Sequence, residues 1–472
     1  MKTKQARIYF AVLVSFALAG CGAGGGPGAA PNTTGNPPPA VTGSSASGSG
    51  SFGVYTSNGA SYALTPAPAA AGGAAGTAKL LTLPNTGGAV GALSVASVVS
   101  VPITTTLTTA VNGTSVDPVN NVGMAFSYSN SKISIFGLPT HPTKPNTEIS
   151  IYDSLTLKTL GFSGGSAKIP GAVMNTANKT LILATADGYE VVDYSNPAAL
   201  TKLREIPSLQ AAASGVPGAE VIENFAFDPK LPVGGTDYAM IITGGRYNRS
   251  STDPIMTLVD ANAGTIYKPD TATAALFATD DYMDSAAVDT TYHVAVLADE
   301  GTGTTFVDLN QLTLNATAGT YSLPAAAVSR ITTYFKYDNL AIESTKHLVM
   351  MGKGFGGTSM VVGLLKDPAV GLGFSKEVIV NMPTGTDDQS TAISWSGGGD
   401  PHGAGAYITD PTHPTYTAPT ALGLWVNMAG THIAIIDLQG VLDGTLAAKV
   451  VGAPAYNPMT TNPQDIAYFK IP

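Results

Sequence analysis

Seven short stretches of the chain share one pattern of apolar and polar positions. An apolar or small residue is followed by alanine or a small substitute, an apolar residue, and then Asp, Glu or Asn. The clearest copy lies in Glu223-Asn-Phe-Ala-Phe-Asp-Pro229. The others are Thr114-Ser-Val-Asp117, Gly171-Ala-Val173 with Asn175 one residue late, Ala286-Ala-Val-Asp289, Leu340-Ala-Ile-Glu343, Gly403-Ala404 and Ile466-Ala-Tyr468. The copies begin at 114, 171, 225, 286, 340, 403 and 466, in steps of 57, 54, 61, 54, 63 and 63. A near-constant period of this size predicts a repeat architecture.

Within one period the apolar runs are short and the residues between them polar. After Phe225 come Tyr238–Thr243, Ile255–Asp260 and Thr265–Tyr267, which predict second, third and fourth strands. Second strands are expected at Val122–Phe126, Leu181–Ala184, His293–Leu297, His347–Met351 and Leu422–Asn427. Third strands are expected at Ile149–Asp153, Tyr189–Asp193, Thr304–Asp308, Ser359–Val362 and His432–Asp437. Most third runs end in Asp, a residue able to accept from N–H groups of the following turn. Four strands per unit define the blade of a β-propeller. The expected fold is all-β, a seven-bladed β-propeller, with six or eight blades as alternatives. The last copy leaves no room for three further strands, so the N-terminus is expected to supply them. Phe52–Asn58, Ser61–Leu64 and Lys79–Leu83 are read as second, third and fourth strands of the closing blade. Residues 89–108 are read as a strand or a crossing segment into the first whole blade.

Leu424-Trp-Val-Asn-Met-Ala-Gly-Thr-His-Ile-Ala-Ile-Ile-Asp-Leu438 and Val54-Tyr-Thr-Ser-Asn58 resemble the repeat of YVTN-type β-propellers of bacterial and archaeal surface proteins. Asp187-Gly-Tyr-Glu-Val-Val-Asp-Tyr-Ser-Asn-Pro197 is also similar to the LVIVD-type repeat, and Asp400-Pro-His-Gly403 has the form those repeats show before the innermost strand. The resemblance runs unevenly over 51–472. It implies a seven-bladed, mostly non-catalytic extracytoplasmic propeller and no particular ligand.

Composition sharpens the location. Lys2, Lys4 and Arg7 precede an apolar run from Ile8 to Ala17, followed by Leu18-Ala-Gly-Cys21. This reads as a secretory signal over 1–20, too short to span a membrane as a mature helix. Leu-Ala-Gly-Cys looks like a bacterial lipobox, which would make Cys21, the single cysteine of the chain, the lipidated first residue of the mature protein. Gly22 is not Asp, which by resemblance to the Gram-negative sorting rule addresses the outer membrane. Residues 21–50 hold no charge and are rich in Gly, Pro, Ala and Ser, a tether reaching on the order of 30 Å. The body, 51–472, is the propeller. With one cysteine there is no intramolecular disulfide, Cys-based zinc site or c-type haem attachment. Net charge is −9, and −12 once the three cations of 1–20 are removed. That balance argues against nucleic acid or anionic lipid and leaves a protein or glycan partner, with membrane attachment through the lipid alone.

Residues just before the innermost strands are expected to ring one mouth of the central channel. Those positions hold Glu223 with Asn224, Asp284, Asp338 with Asn339, Asp400 with His402, and Gln464 with Asp465, whereas Asn112 and Ile169-Pro170 stand in the first two units. Carboxylates and amides without Lys or Arg suit a hard cation such as Ca²⁺. The same residues are also the ordinary choice for capping strand starts. Propeller lactonases resemble the outline, a Ca²⁺ held by acids and amides at the mouth, but no local motif matches theirs and none of their residues is carried over. Asp400, His402, Asp410 and His413 lie among Pro401, Pro411 and Pro414, the mark of an irregular insertion rather than a transition-metal site. No Gly-x-Ser-x-Gly elbow or His-Glu-x-x-His run is present. Three functions remain: a binding or scaffolding module in the cell envelope, a divalent-cation-dependent hydrolase, and a purely structural envelope protein.

Overall fold

The computed structural model describes residues 60–67, 77–84, 99–103, 113–117, 119–127, 132–139, 141–152, 160–161, 171–176, 178–185, 188–207, 222–228, 238–243, 256–277, 283–299, 303–332, 337–344, 346–353, 359–381, 403–408, 421–426, 433–437, 449–452 and 467–469, with side-chain surroundings for many of those between 115 and 381. Cys21, Phe52–Asn58, Asp400, His402, Asp410, His413 and Asp465 lie outside the described residues.

Five sheets are four-stranded, antiparallel and each drawn from one stretch of chain, the plan of a propeller blade. The first joins Gly113–Asp117, Val122–Ser127, Lys132–Gly137 and Glu148–Tyr152. The second joins Gly171–Asn175, Thr180–Thr185, Gly188–Asp193 and Thr201–Pro207. Two more start at Met283–Asp289 and Tyr337–Glu343, and a further one at Gly403–Ile408. Between the second of these and Met283, the sheet of Ile222–Asp228, Tyr238–Thr243, Met256–Asp260 and Thr265–Pro269 is extended to six strands. Its extra ribbon, Thr313–Asn315 and Thr320–Ser322, comes from the next sheet's third-to-fourth connection and pairs in parallel with Thr265–Pro269. A last sheet unites the chain's two ends: Ala467–Phe469 pairs with Ala60–Ala67, followed by Thr77–Pro84 and Val99–Ile103. The fold is an all-β propeller. No helix among the described residues is long and apolar enough to cross a membrane.

The near-continuous apolar runs have a physical reason. Ala286, Val288, Ala295, Leu297 and Val307 pack on the preceding sheet with Ala226, Met256 and Leu258. The alternate residues Ala287, Val296, Ala298 and Phe306 pack on the following sheet with Leu340, Ile342, Val349 and Met351. Both faces of the first three strands of this sheet are therefore buried where described, so the two-residue alternation of a half-solvated sheet is absent there. Each fully buried aliphatic side chain contributes about 1.5–3 kcal/mol relative to exposure.

Three expectations are corrected. In the first sheet Ile149–Asp153 is not the third strand: Lys132–Gly137 holds that place and Glu148–Tyr152 is the fourth. In the closing sheet Ala60–Ala67 is the second strand and Thr77–Pro84 the third, one place inward of the expectation. Residues 89–108, read as a strand or a crossing segment into the first whole blade, hold a strand at Val99–Ile103, but it belongs to the closing sheet as its fourth.

Candidate functional site

The innermost strands present acids at both of their ends, and the two ends are built differently. At the C-terminal tips the turn to the second strand repeats in four sheets. Asn121, Lys179, His293 and His347 stand four residues after Asp117, Asn175, Asp289 and Glu343, all in the left-handed region at φ 58°, 59°, 55° and 58°. Their carbonyls accept from Leu138, Tyr194, Leu309 and Leu365 N–H at 2.8–2.9 Å, tying the tip to the residue just after or closing the third strand.

The tip acids are consumed by this architecture. Asp117 is fully buried; it accepts from Asn120 N–H at 3.0 Å, from the Asn120 amide, and from the Tyr194 hydroxyl of the next sheet at 2.7 Å. Burial, and then the Asp117 carboxylate, holds the Tyr194 hydroxyl well above the ordinary phenol range. Asp289, also fully buried, accepts from Thr291 and Tyr292 N–H at 2.9 and 2.8 Å. Its second oxygen lies 2.9 Å from Nδ1 of His347 in the following sheet. The His347 ring stacks on Tyr292 with centroids 3.5 Å apart and an interplanar angle of 1°. Glu343 accepts from Lys346 N–H at 2.7 Å. Each tip acid thus caps its own turn, and two of them also lock one sheet to the next. The third-strand aspartates do the capping expected of them: Asp193 accepts from Ser195 N–H, Asp260 from Asn262 and Ala263, and Asp308 from Asn310.

The opposite ends differ. Three neighbouring inner strands begin with a β-bulge. Ile222 pairs with Thr243 and Asn224 with Ile242, so Glu223 is skipped. Met283 pairs with Asp299 and Ser285 with Ala298, so Asp284 is skipped. Tyr337 pairs with Lys353 and Asn339 with Gly352, so Asp338 is skipped. In all three the extra residue is acidic. The inner strands that begin at Gly113, Gly171 and Gly403 enter their ladders with no bulge. A bulge re-aims a side chain and is over-represented beside functional sites. Asn224 and Asn339 are the first paired residues beyond their bulges. The structure thus brings Glu223, Asp284 and Asp338 to one register position on three adjacent strands. Among the residues whose side chains are described, no group of three or more His, Cys, Asp or Glu is placed to hold a metal ion.

Sequence reasoning missed Tyr194 and His347 as locks between sheets. The one available signal was position: Tyr194 directly follows a third-strand Asp, and His347 closes a first-to-second turn.

No family model and no curated protein matches the chain. Solved structures with a similar course include a protein from Lactobacillus plantarum (TM-score 0.49, 10% identity, covering 87% of this chain and 100% of that one). Another is a candidate 6-phosphogluconolactonase from Bacteroides fragilis (TM-score 0.48, 9% identity, 88% and 99% covered). A third is a functionally unknown protein from Desulfotomaculum acetoxidans (TM-score 0.49, 11% identity, 83% and 96% covered). None of these likenesses bears on activity.

Proposed function

We propose that this chain is an exported, lipid-anchored β-propeller of the YVTN/LVIVD type that serves as a binding or scaffolding module in the cell envelope. In this reading Cys21 carries the lipid, residues 22–50 are the tether, and the body faces the periplasm or the cell surface at the outer membrane. The six-stranded sheet and the sheet joining the chain ends count as blades, giving seven. Supporting that count, the first strand of every sheet neighbours that of the next, and Ala467–Phe469 neighbours both Gly403–Ile408 and Gly113–Asp117.

The observation that carries the binding role is the acidic bulge repeated in three adjacent strands. The acids at the tips are occupied in holding turns, whereas Glu223, Asp284 and Asp338 sit where a ladder has been opened by one residue. A protein or glycan partner offering cationic or hydroxyl groups suits such an entrance. The test is recovery of envelope components by the full chain and by its E223Q/D284N/D338N variant. Selective loss of one component in the variant is expected; identical recovery overturns the reading.

The same bulges favour a second reading, a divalent-cation-dependent hydrolase in which Ca²⁺ at the entrance polarises a carbonyl or activates water. Saturating Ca²⁺ at 100 times its Kd would add about 2.7 kcal/mol to folded-state stability, seen as a rise in Tm reversed by EDTA. No shift on either addition removes this reading. Failure of both tests leaves the structural envelope protein.

A further inference from the structure

We propose that the Leu138–Thr147 connection of the first sheet is a proton-operated knuckle, held closed by His141 Nδ1 and released when that nitrogen is protonated. The connection joins the third and fourth strands. His141 Nδ1 accepts two backbone N–H groups of its own loop, from Thr143 at 3.3 Å and from Lys144 at 3.0 Å. The ring nitrogen therefore does the work that an Asx side chain does in a turn. It does so only while its lone pair is free, because both nitrogens of an imidazolium are donors.

The rest of the knuckle is arranged around that ring. A Cβ on Gly137 would stand 2.0 Å from the Lys144 carbonyl oxygen and 2.8 Å from the His141 Cβ, so the loop folds back onto bare backbone. Gly137 N–H donates to Thr147 O, Asn146 N–H to Gly137 O, and His141 N–H to Leu138 O. The Thr147 hydroxyl closes on the Pro145 carbonyl at 2.9 Å, and Asn146 takes a left-handed φ of 53°. Residues 142–145 are exposed, so release would change the outer surface and leave the core alone.

The charged groups on the adjoining elements are committed elsewhere. Asp117, on the hairpin whose Asn121 carbonyl holds Leu138 N–H, serves Asn120 and Tyr194. Glu148, on the strand that follows, accepts from Ser134 at 2.6 Å. Lys144, in the loop itself, is the one cation of the connection. Among the described residues no carboxylate pairs with His141, and burial holds its pKa below the ordinary imidazole value. The neutral form is the one favoured by folding. The closure it provides is present above the ordinary value and is lost as pH falls through the folded one.

The test is amide hydrogen exchange of the full chain, corrected for intrinsic rates, over Leu138–Thr147 at about pH 7.5 and about pH 4.5. Protection at Thr143 and Lys144 is expected to fall about tenfold or more in acid, while the Val122–Gly137 hairpin keeps its own. H141N, whose side-chain oxygen accepts without titrating in this range, is expected to hold protection at both pH values. H141A is expected to lose it at both. Equal protection of the unmodified chain at the two pH values overturns the proposal, as does an H141A chain protected like the unmodified one at about pH 7.5.

Discussion

The two ends of the inner strands use the same residue types for different purposes. At the C-terminal tips, Asp117 and Asp289 are fully buried and each satisfies three donors, one of them on the neighbouring sheet. At the N-terminal ends, Glu223, Asp284 and Asp338 each occupy the extra residue of a bulge. A carboxylate at a tip is part of the frame, since its removal orphans buried donors. At a bulge the acidic residue is the one the ladder skips, so its backbone is left out of the pairing. The comparison teaches that residue type alone does not tell the two ends apart; the register of the pairing does.

The sharpest test of that difference is Asp289→Ala. It removes a fully buried carboxylate and leaves two backbone N–H groups and the partly buried His347 ring nitrogen without their acceptor, so a loss of about 3 kcal/mol is expected in denaturant unfolding. An unchanged midpoint would remove the tip acids from the frame. A pH titration probes two buried hydroxyls from the alkaline side: that of Tyr194, at a tip, and that of Tyr321, which donates to the Met256 carbonyl. Tyr194 and Tyr321 are buried, and in both burial raises the pKa above that of an exposed phenol. Their stabilisation is fully present below the unfolded value of about 10 and declines as pH rises beyond it, by up to about 2.7 kcal/mol per pH unit for two hydroxyls. The Y194F/Y321F pair should flatten that decline, and a slope identical to the parent's would refute the assignment.

Tyr194→Phe alone is a milder perturbation, because Asp117 keeps both bonds from Asn120. A cost of about 1–2 kcal/mol is expected near neutral pH, measured by urea midpoint. The smallest effect belongs to the other end. E223Q/D284N/D338N should move stability by no more than about 0.5 kcal/mol, since each replacement keeps the size and shape of the side chain it replaces. A loss comparable to that of Asp289→Ala would make the two ends alike and break the comparison.

The repeat was readable in the sequence because packing on both faces forces every inner strand to be apolar, and the turn that follows demands an acceptor. Phe225–Asp228 and Ala286–Asp289 display both demands within four residues. The reading failed where a different device ends the strand. Lys132–Gly137 closes on Gly137, under the His141 loop, and carries no terminal Asp, whereas Asp153 follows the fourth strand and imitates the third-strand pattern there. The ribbon at Thr313–Asn315 and Thr320–Ser322 is too short to declare a period, yet its Tyr321 is buried against the preceding sheet and donates to the Met256 carbonyl at 2.7 Å. Of the candidate entrance, the positions of Glu223, Asp284 and Asp338 followed from the repeat. The bulges did not, because register is a property of two strands and no single run of residues announces it.

The sheet that unites the chain ends has a temporal meaning. Its partners, Tyr62–Leu64 and Phe469–Ala467, are separated by about four hundred residues of synthesis. Ala467–Phe469 is the partner of Ala60–Ala67 on that side, so this native pairing forms only after residues 467–469 have emerged. Ring closure therefore waits on Ala467–Phe469, in whatever order the other sheets form. Until then Ala60–Ala67 carries an open edge, and pairing with Ala467–Phe469 removes it.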